Sequence, residues 1–82
     1  MTELKKLVRR ESIAAGLRSK RAIKKVTQRE AAEEIGVTQT SLSSYENNGG
    51  ISIEDAWAAA DYYKCSLDEL AGRTWPPKKE VV

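Results

Sequence analysis

The stretch that decides the fold is Gln28–Asn47, QREAAEEIGVTQTSLSSYEN. Thr27 stands just before it and Glu30 follows three residues later, the spacing of a reciprocal capping box at a helix start. The run continues through Ala31, Ala32 and Ile35, and Gly36 then stops it. Glycine takes the left-handed backbone that other residues resist, so a sharp turn is predicted at Gly36. Thr38 caps a second run that carries Leu42 and Tyr45. The spacing therefore predicts two short helices bent tightly about one glycine.

Two helices joined by a short glycine-containing turn form a helix-turn-helix. Ala32 falls where the two helices cross closely, and a bulky side chain there would push them apart. Ala31, Ile35, Val37, Leu42 and Tyr45 supply the apolar contacts that fix the angle. With that angle fixed, the second helix can project from the surface and enter a DNA major groove.

Upstream, strong helix formers dominate from Glu3 to Lys25, with Gly16 the one weak residue inside. Thr2 is a candidate cap, and Leu4, Leu7 and Val8 share one face, while Ile13 and Leu17 fall on roughly the opposite side. Two explanations fit. Either the helix breaks near Ser12, which caps a second one, or one long helix buries one face in its own domain and the other against a partner. Downstream, Asn47–Asn48–Gly49–Gly50 is a loop. Ser52 with Asp55 starts a further helix with Ile53, Ala56, Trp57 and Ala60 as its apolar stripe. Ser66 with Glu69 starts a last one, with Leu67 and Leu70 pointing inward and Gly72 ending it. Tyr45 and Trp57 read as core aromatics and Cys65 as a buried, inert thiol. Trp75, followed by two prolines, begins an extended tail that docks on its own domain or serves a partner. No alternation of period two appears, so the chain reads as all-helical. The division expected is a helical extension over 1–12, a helix-turn-helix domain over 13–72, and an extended or disordered tail over 73–82.

Composition narrows the function. The 82 residues hold one small domain and contain no His and a single Cys. No imidazole-based triad, imidazole metal site or intramolecular disulfide can be built, so an enzyme, a cofactor and a metal are not expected. No apolar segment resembles a secretory signal or a membrane span, which points to the cytoplasm. Charge is divided unevenly. Residues 1–29 carry ten basic groups against two acids, a net of +8, and residues 30–82 carry four against ten, a net of −6. One side of such a molecule is suited to a polyanion. Arg18, Lys20, Lys24, Lys25 and Arg29, or else the N-terminal segment, are the candidates for phosphate, because no basic residue occurs from Glu30 through Tyr63.

The segment from about Leu17 to Leu70 resembles the phage-repressor/Cro-type (XRE-like) helix-turn-helix family. The resemblance rests on Arg21, Thr27–Gln28, Ala32, Gly36–Val37–Thr38–Gln39, Leu42–Ser43, Tyr45–Glu46–Asn47 and Cys65–Ser66–Leu67–Asp68–Glu69–Leu70. It implies a compact five-helix bundle of the lambda-repressor-like type, here with an extra or extended N-terminal helix and a short tail. It further implies that Gln39 and Thr40, with Ser44 one turn on, face base edges. The chemistry agrees, since a Gln amide offers both donor and acceptor to adenine. Gln28, Asn47 and Thr38 would meet phosphates together with Arg18, Lys24 and Lys25, and Arg21 with Glu46 would tie the first helix to the end of the third. The chain departs from the family pattern at Lys25, where Gly is usual, at Lys20 and Ala31, where Leu is usual, and in the uncharged loop Asn48–Ser52.

The function expected is operator binding by a bacterial or phage transcriptional regulator, a repressor acting as a homodimer on a palindrome. Two rivals stay open: an antitoxin-like regulator gripping a second protein through Leu4, Leu7, Val8 or Trp75, and a helix-turn-helix-shaped interaction module without DNA contact.

Overall fold

Thr27, Thr38, Ser52 and Ser66 each start the helix expected of them. The computed structural model describes residues 2–77 and contains α1 (Thr2–Lys24), α2 (Gln28–Ile35), α3 (Gln39–Asn48), α4 (Ile53–Tyr63) and α5 (Leu67–Ala71). No strand occurs among the described residues. Thr27, Thr38, Ser52 and Ser66 hold extended backbones, and each hydroxyl accepts from the amide three residues on. At α2 the capping box is complete: Thr27 Oγ1 accepts from Glu30 N, and Thr27 N donates to Glu30 Oε1, both at 3.1 Å. Two of the four orphan amides at that helix start are thereby satisfied. Gly36 ends α2 with φ 90°, and both its amide and that of Val37 donate to Ala32 O.

α1 is one uninterrupted helix, so the expected alternative of a break at Ser12 is set aside. Thr2 is its first helical residue rather than a cap before it. Ser12 does not cap. Its hydroxyl instead donates to Ala71 O at 2.7 Å, tying α1 to the end of α5. The same contact explains Gly16, which tolerates no side chain because a Cβ there would overlap the Leu70 carbonyl oxygen. The boundary expected between residues 12 and 13 falls within this helix.

The core gathers Ala14 and Leu17 of α1, Ala31, Ala32 and Ile35 of α2, Leu42 of α3, Ala59 and Ala60 of α4 and Leu70 of α5. Ala32 is almost fully enclosed, as a close helix crossing requires. α3 packs against both α1 and α2, while α5 packs against α1 and α4. No helix is long and apolar enough to cross a membrane among the described residues.

Three expected core positions lie outside. Trp57 is 62% exposed and Ile53 70%, and Leu67 is 37% exposed. The inward arc of α4 is centred on Ala59, Ala60 and Tyr63, which places Ile53 and Trp57 roughly 100° around the helix from its middle. Small alanines let α4 approach the core closely, and a stripe built on Trp57 would hold it away. Tyr45 does pack on the core, and its hydroxyl donates to Asp55 Oδ2 at 2.7 Å. Cys65 is half-buried rather than enclosed, and burial pushes its thiol above the usual range. Of the tail expected over 73–82, residues 78–82 lie outside the described residues. Trp75 does not dock on the domain: it is 63% exposed, and its ring meets the Arg73 guanidinium 4.5 Å from the centroid.

Candidate nucleic-acid interface

The turn at Gly36 leaves the start of α3 projecting from the bundle. Gln39 and Thr40 are exposed, and among the described residues neither side chain makes a hydrogen bond within the protein. At 100° per residue, Gln39, Thr40, Ser43, Ser44 and Asn47 fill one arc of α3, and Leu42, Tyr45, Glu46 and Gly49 fill the opposite one. Apart from the half-buried Ser43, every member of the outer arc is exposed. Ser43 was absent from the base-facing set read from the sequence, although its spacing four residues after Gln39 is the signal that places it there. Ser44 accepts from Asn48 Nδ2 at 3.1 Å, so its hydroxyl remains able to donate outward.

The inner arc is anchored by one buried charge. Glu46 is 2% exposed and receives Arg21 through two bonds, Nε to Oε2 at 2.8 Å and Nη2 to Oε1 at 3.0 Å. Arg21 also donates to Val26 O at 3.1 Å, and its guanidinium is held charged by the carboxylate beside it. Gln28 at the start of α2 donates Nε2 to Glu46 Oε1 at 3.0 Å. Three helices thus meet on one carboxylate. Bidentate, charge-assisted bonds of this kind fix geometry as well as supplying energy. Tyr63 lies beside the pair, and burial, reinforced by the charge on Glu46, pushes its hydroxyl up to about 12.

The expected phosphate-binding residues are spread around this frame. Gln28 is half-buried with its amide nitrogen committed to Glu46. Thr38 uses its hydroxyl at the helix start, accepting from Ser41 N and donating to Ser41 Oγ. Asn47 is exposed at the far end of α3. Arg18 is exposed, and it donates to Glu46 O at 2.6 Å and to Glu11 Oε1 at 3.1 Å. It satisfies a carbonyl near the end of α3, about 10 Å along the axis from Gln39. Lys24 and Lys25 are exposed at the end of α1, close in sequence to Gln28. The Lys24 ammonium lies 4.7 Å from the Tyr62 ring centroid, and Lys25 holds φ 60°. That left-handed value explains why glycine is usual at this position. The amides opening α2 and α3 are two partial positive ends, suited to anionic oxygens.

Comparison with known proteins agrees with this geometry. A family model described as helix-turn-helix matches residues 17–70. The cryptic phage CTXphi transcriptional repressor RstR of Vibrio cholerae serotype O1 is 42% identical over 55 residues, 66% of this chain and 48% of that protein. The chain thus spans about half the length of that curated relative. No solved structure matches. With the turn, the outer arc of α3 and the family match on the same residues, the chain belongs to the phage-repressor (XRE-like) helix-turn-helix family.

Proposed function

We propose that this protein is a sequence-specific double-stranded-DNA-binding regulator, a repressor that occupies its operator as a homodimer. The observation that carries the reading is the start of the outer arc of α3, which presents the Gln39 amide and the Thr40 hydroxyl with no hydrogen-bond partner among the described residues, on a helix pinned from behind by Glu46. Gln39 and Thr40 approach base edges, with Ser44 and Ser43 one turn further along. An amide suits adenine N6 and N7, and the Thr40 methyl suits a thymine methyl. Lys24, Lys25 and the amides opening α2 and α3 meet the flanking phosphates, with Thr38, Asn47 and the free carboxamide oxygen of Gln28 setting the register through water or sugar contacts. The similarity to a transcriptional repressor supports the same reading.

Few cations surround the reading helix, and phosphate contacts supply most of the affinity of such proteins. A single domain is therefore a weak binder, and two reading helices on a palindrome supply what one lacks. Selection of bound duplexes from a random pool tests this. A palindromic consensus with half-sites one helical turn apart, about 10 base pairs, is the expected result. Uniform recovery of all sequences at low salt would reject base reading and favour an interaction module of the same shape.

A further inference from the structure

Every described side chain from Glu3 to Glu11 is exposed, although these residues are helical throughout. They precede the segment that the family model matches, which begins at residue 17. At 100° per residue, Lys5, Lys6, Arg9 and Arg10 fall within about 140° of one another. Ile13 and Leu17 lie in the same arc and pack on the core. The four cations therefore continue the bundle-facing side of α1 past the end of the bundle and overhang it. Two contacts fix what they overhang. On one edge of the arc, the carbonyl of Arg10 sits against Gly49, just beyond the last turn of α3. On the other edge, Ser12 is bonded to Ala71, and Arg9 lines a cleft with Gly72 and Arg73. Lys6, four residues before Arg10, shares its edge. This pair stands beside the end of the reading helix.

Charge is unbalanced there. Among the described residues, none of these four cations takes part in an ion pair. Glu3 borders the arc at the Arg10 edge, and Glu11 lies on the far side of the helix, where it accepts from Arg18. Lys5 with Arg9 and Lys6 with Arg10 are like charges four residues apart, an arrangement that costs a helix stability. The fold thus keeps two repulsive pairs that it does not neutralise. Opposite Lys6 and Arg10, the loop Asn48–Ser52 carries no charge, and no basic residue occurs from Glu30 through Tyr63. Arg18, another cation at this end, is already shared between Glu11 and the Glu46 carbonyl. A phosphate strand passing the exposed Asn47 therefore finds no cation on α3, its loop or α4, and meets Lys6 and Arg10 instead.

Resting on the DNA-binding reading above, we propose that Lys6 and Arg10 form a second phosphate grip, which holds the DNA backbone where it passes the far end of α3. The grip is blind to sequence and sets affinity and register rather than base preference. Lys24 stands about 21 Å along α1 from Arg10, so cations then meet the backbone at two separated points. The like-charge spacing acquires a purpose, because a polyanion relieves the repulsion that the free protein carries.

Equilibrium binding of the full chain to a selected and a scrambled duplex, over a range of salt, tests the assignment. For Lys6→Gln combined with Arg10→Gln, binding to both duplexes is expected to weaken about 10-fold, and the salt slope to become shallower by about two. The urea midpoint of the same variant is expected to equal or exceed that of the parent, because a repulsive pair has gone. Lys5→Gln combined with Arg9→Gln removes the same charge from the α5 edge, and should move the slope by less than about half a unit. An unchanged slope in the first variant overturns the proposal, whether the arc then meets an acidic protein or only solvent. So does an equal fall in both variants, which would reduce the effect to net charge. The grip and base reading fail differently. A slope that drops in a chain selecting no sequence leaves the grip standing and removes the operator. A selected duplex bound with an undiminished slope does the reverse. A parent that binds neither duplex at low salt overturns both.

Discussion

The two ends of α3 are built for opposite purposes. At its start, Gln39 and Thr40 stand in solvent with no partner among the described residues. Near its end, Glu46 is buried and collects Arg21 and Gln28 on its carboxylate, while Arg18 takes its carbonyl. Side chains meant to meet a ligand must be free, but the backbone that carries them must not drift. Placing the charged anchor two turns away satisfies both demands, because the helix transmits position without using the reading atoms. The lesson is that stability and specificity occupy separate ends of one ten-residue helix.

The sharpest way to break that division is to remove the anchor. Glu46→Ala leaves Arg21 and Gln28 facing each other without their shared acceptor, and the expected cost is about 3 kcal/mol in urea unfolding. The figure sits at the low end for a broken buried pair because the Arg21 side chain is 26% exposed and can hydrate. A loss under about 1 kcal/mol would mean that the carboxylate does not hold the helices together.

Next in size is Gly16→Ala, which presses a methyl onto the Leu70 carbonyl and should cost about 2 kcal/mol from overpacking. This site joins α1 to α5, so sequence preference on DNA should stay unchanged. A shift in preference would mean that the reading end is not mechanically separate. Lys25→Gly acts in the other direction. Relief of the left-handed backbone at φ 60° should stabilise the fold by about 1 kcal/mol, read as a higher melting temperature. Smallest of all is the stability effect of Gln39→Ala, expected within about 0.5 kcal/mol of the parent because its side chain supports nothing inside.

The helix starts were legible because their signals are local. Thr27, Thr38, Ser52 and Ser66 each need only the chain's own amide three residues on, and Gly36 needs only its own backbone freedom. The outer arc of α3 was legible for a related reason: helical periodicity and the turn position fix which residues point away from the core. What the sequence did not disclose depends on partners distant in the chain. Ile53 and Trp57 have helical spacing, but only contact with α2 and α5 decides that Ala59 and Ala60 face inward instead. Ser12 has the chemistry of a cap, yet a carbonyl 59 residues away claims its hydroxyl. Arg18 is a phosphate candidate on charge alone, and the bond it makes to Glu46 O depends on α1 crossing the end of α3, which no local signal discloses.

Separation of reading from support is tested most directly by equilibrium binding of Gln39→Ala to a selected duplex and to a scrambled one at the same salt. A loss of about 1–3 kcal/mol on the selected duplex, with none on the scrambled one, is the predicted result. Equal losses on both duplexes would contradict it and return Gln39 to the role of an ordinary polar surface residue.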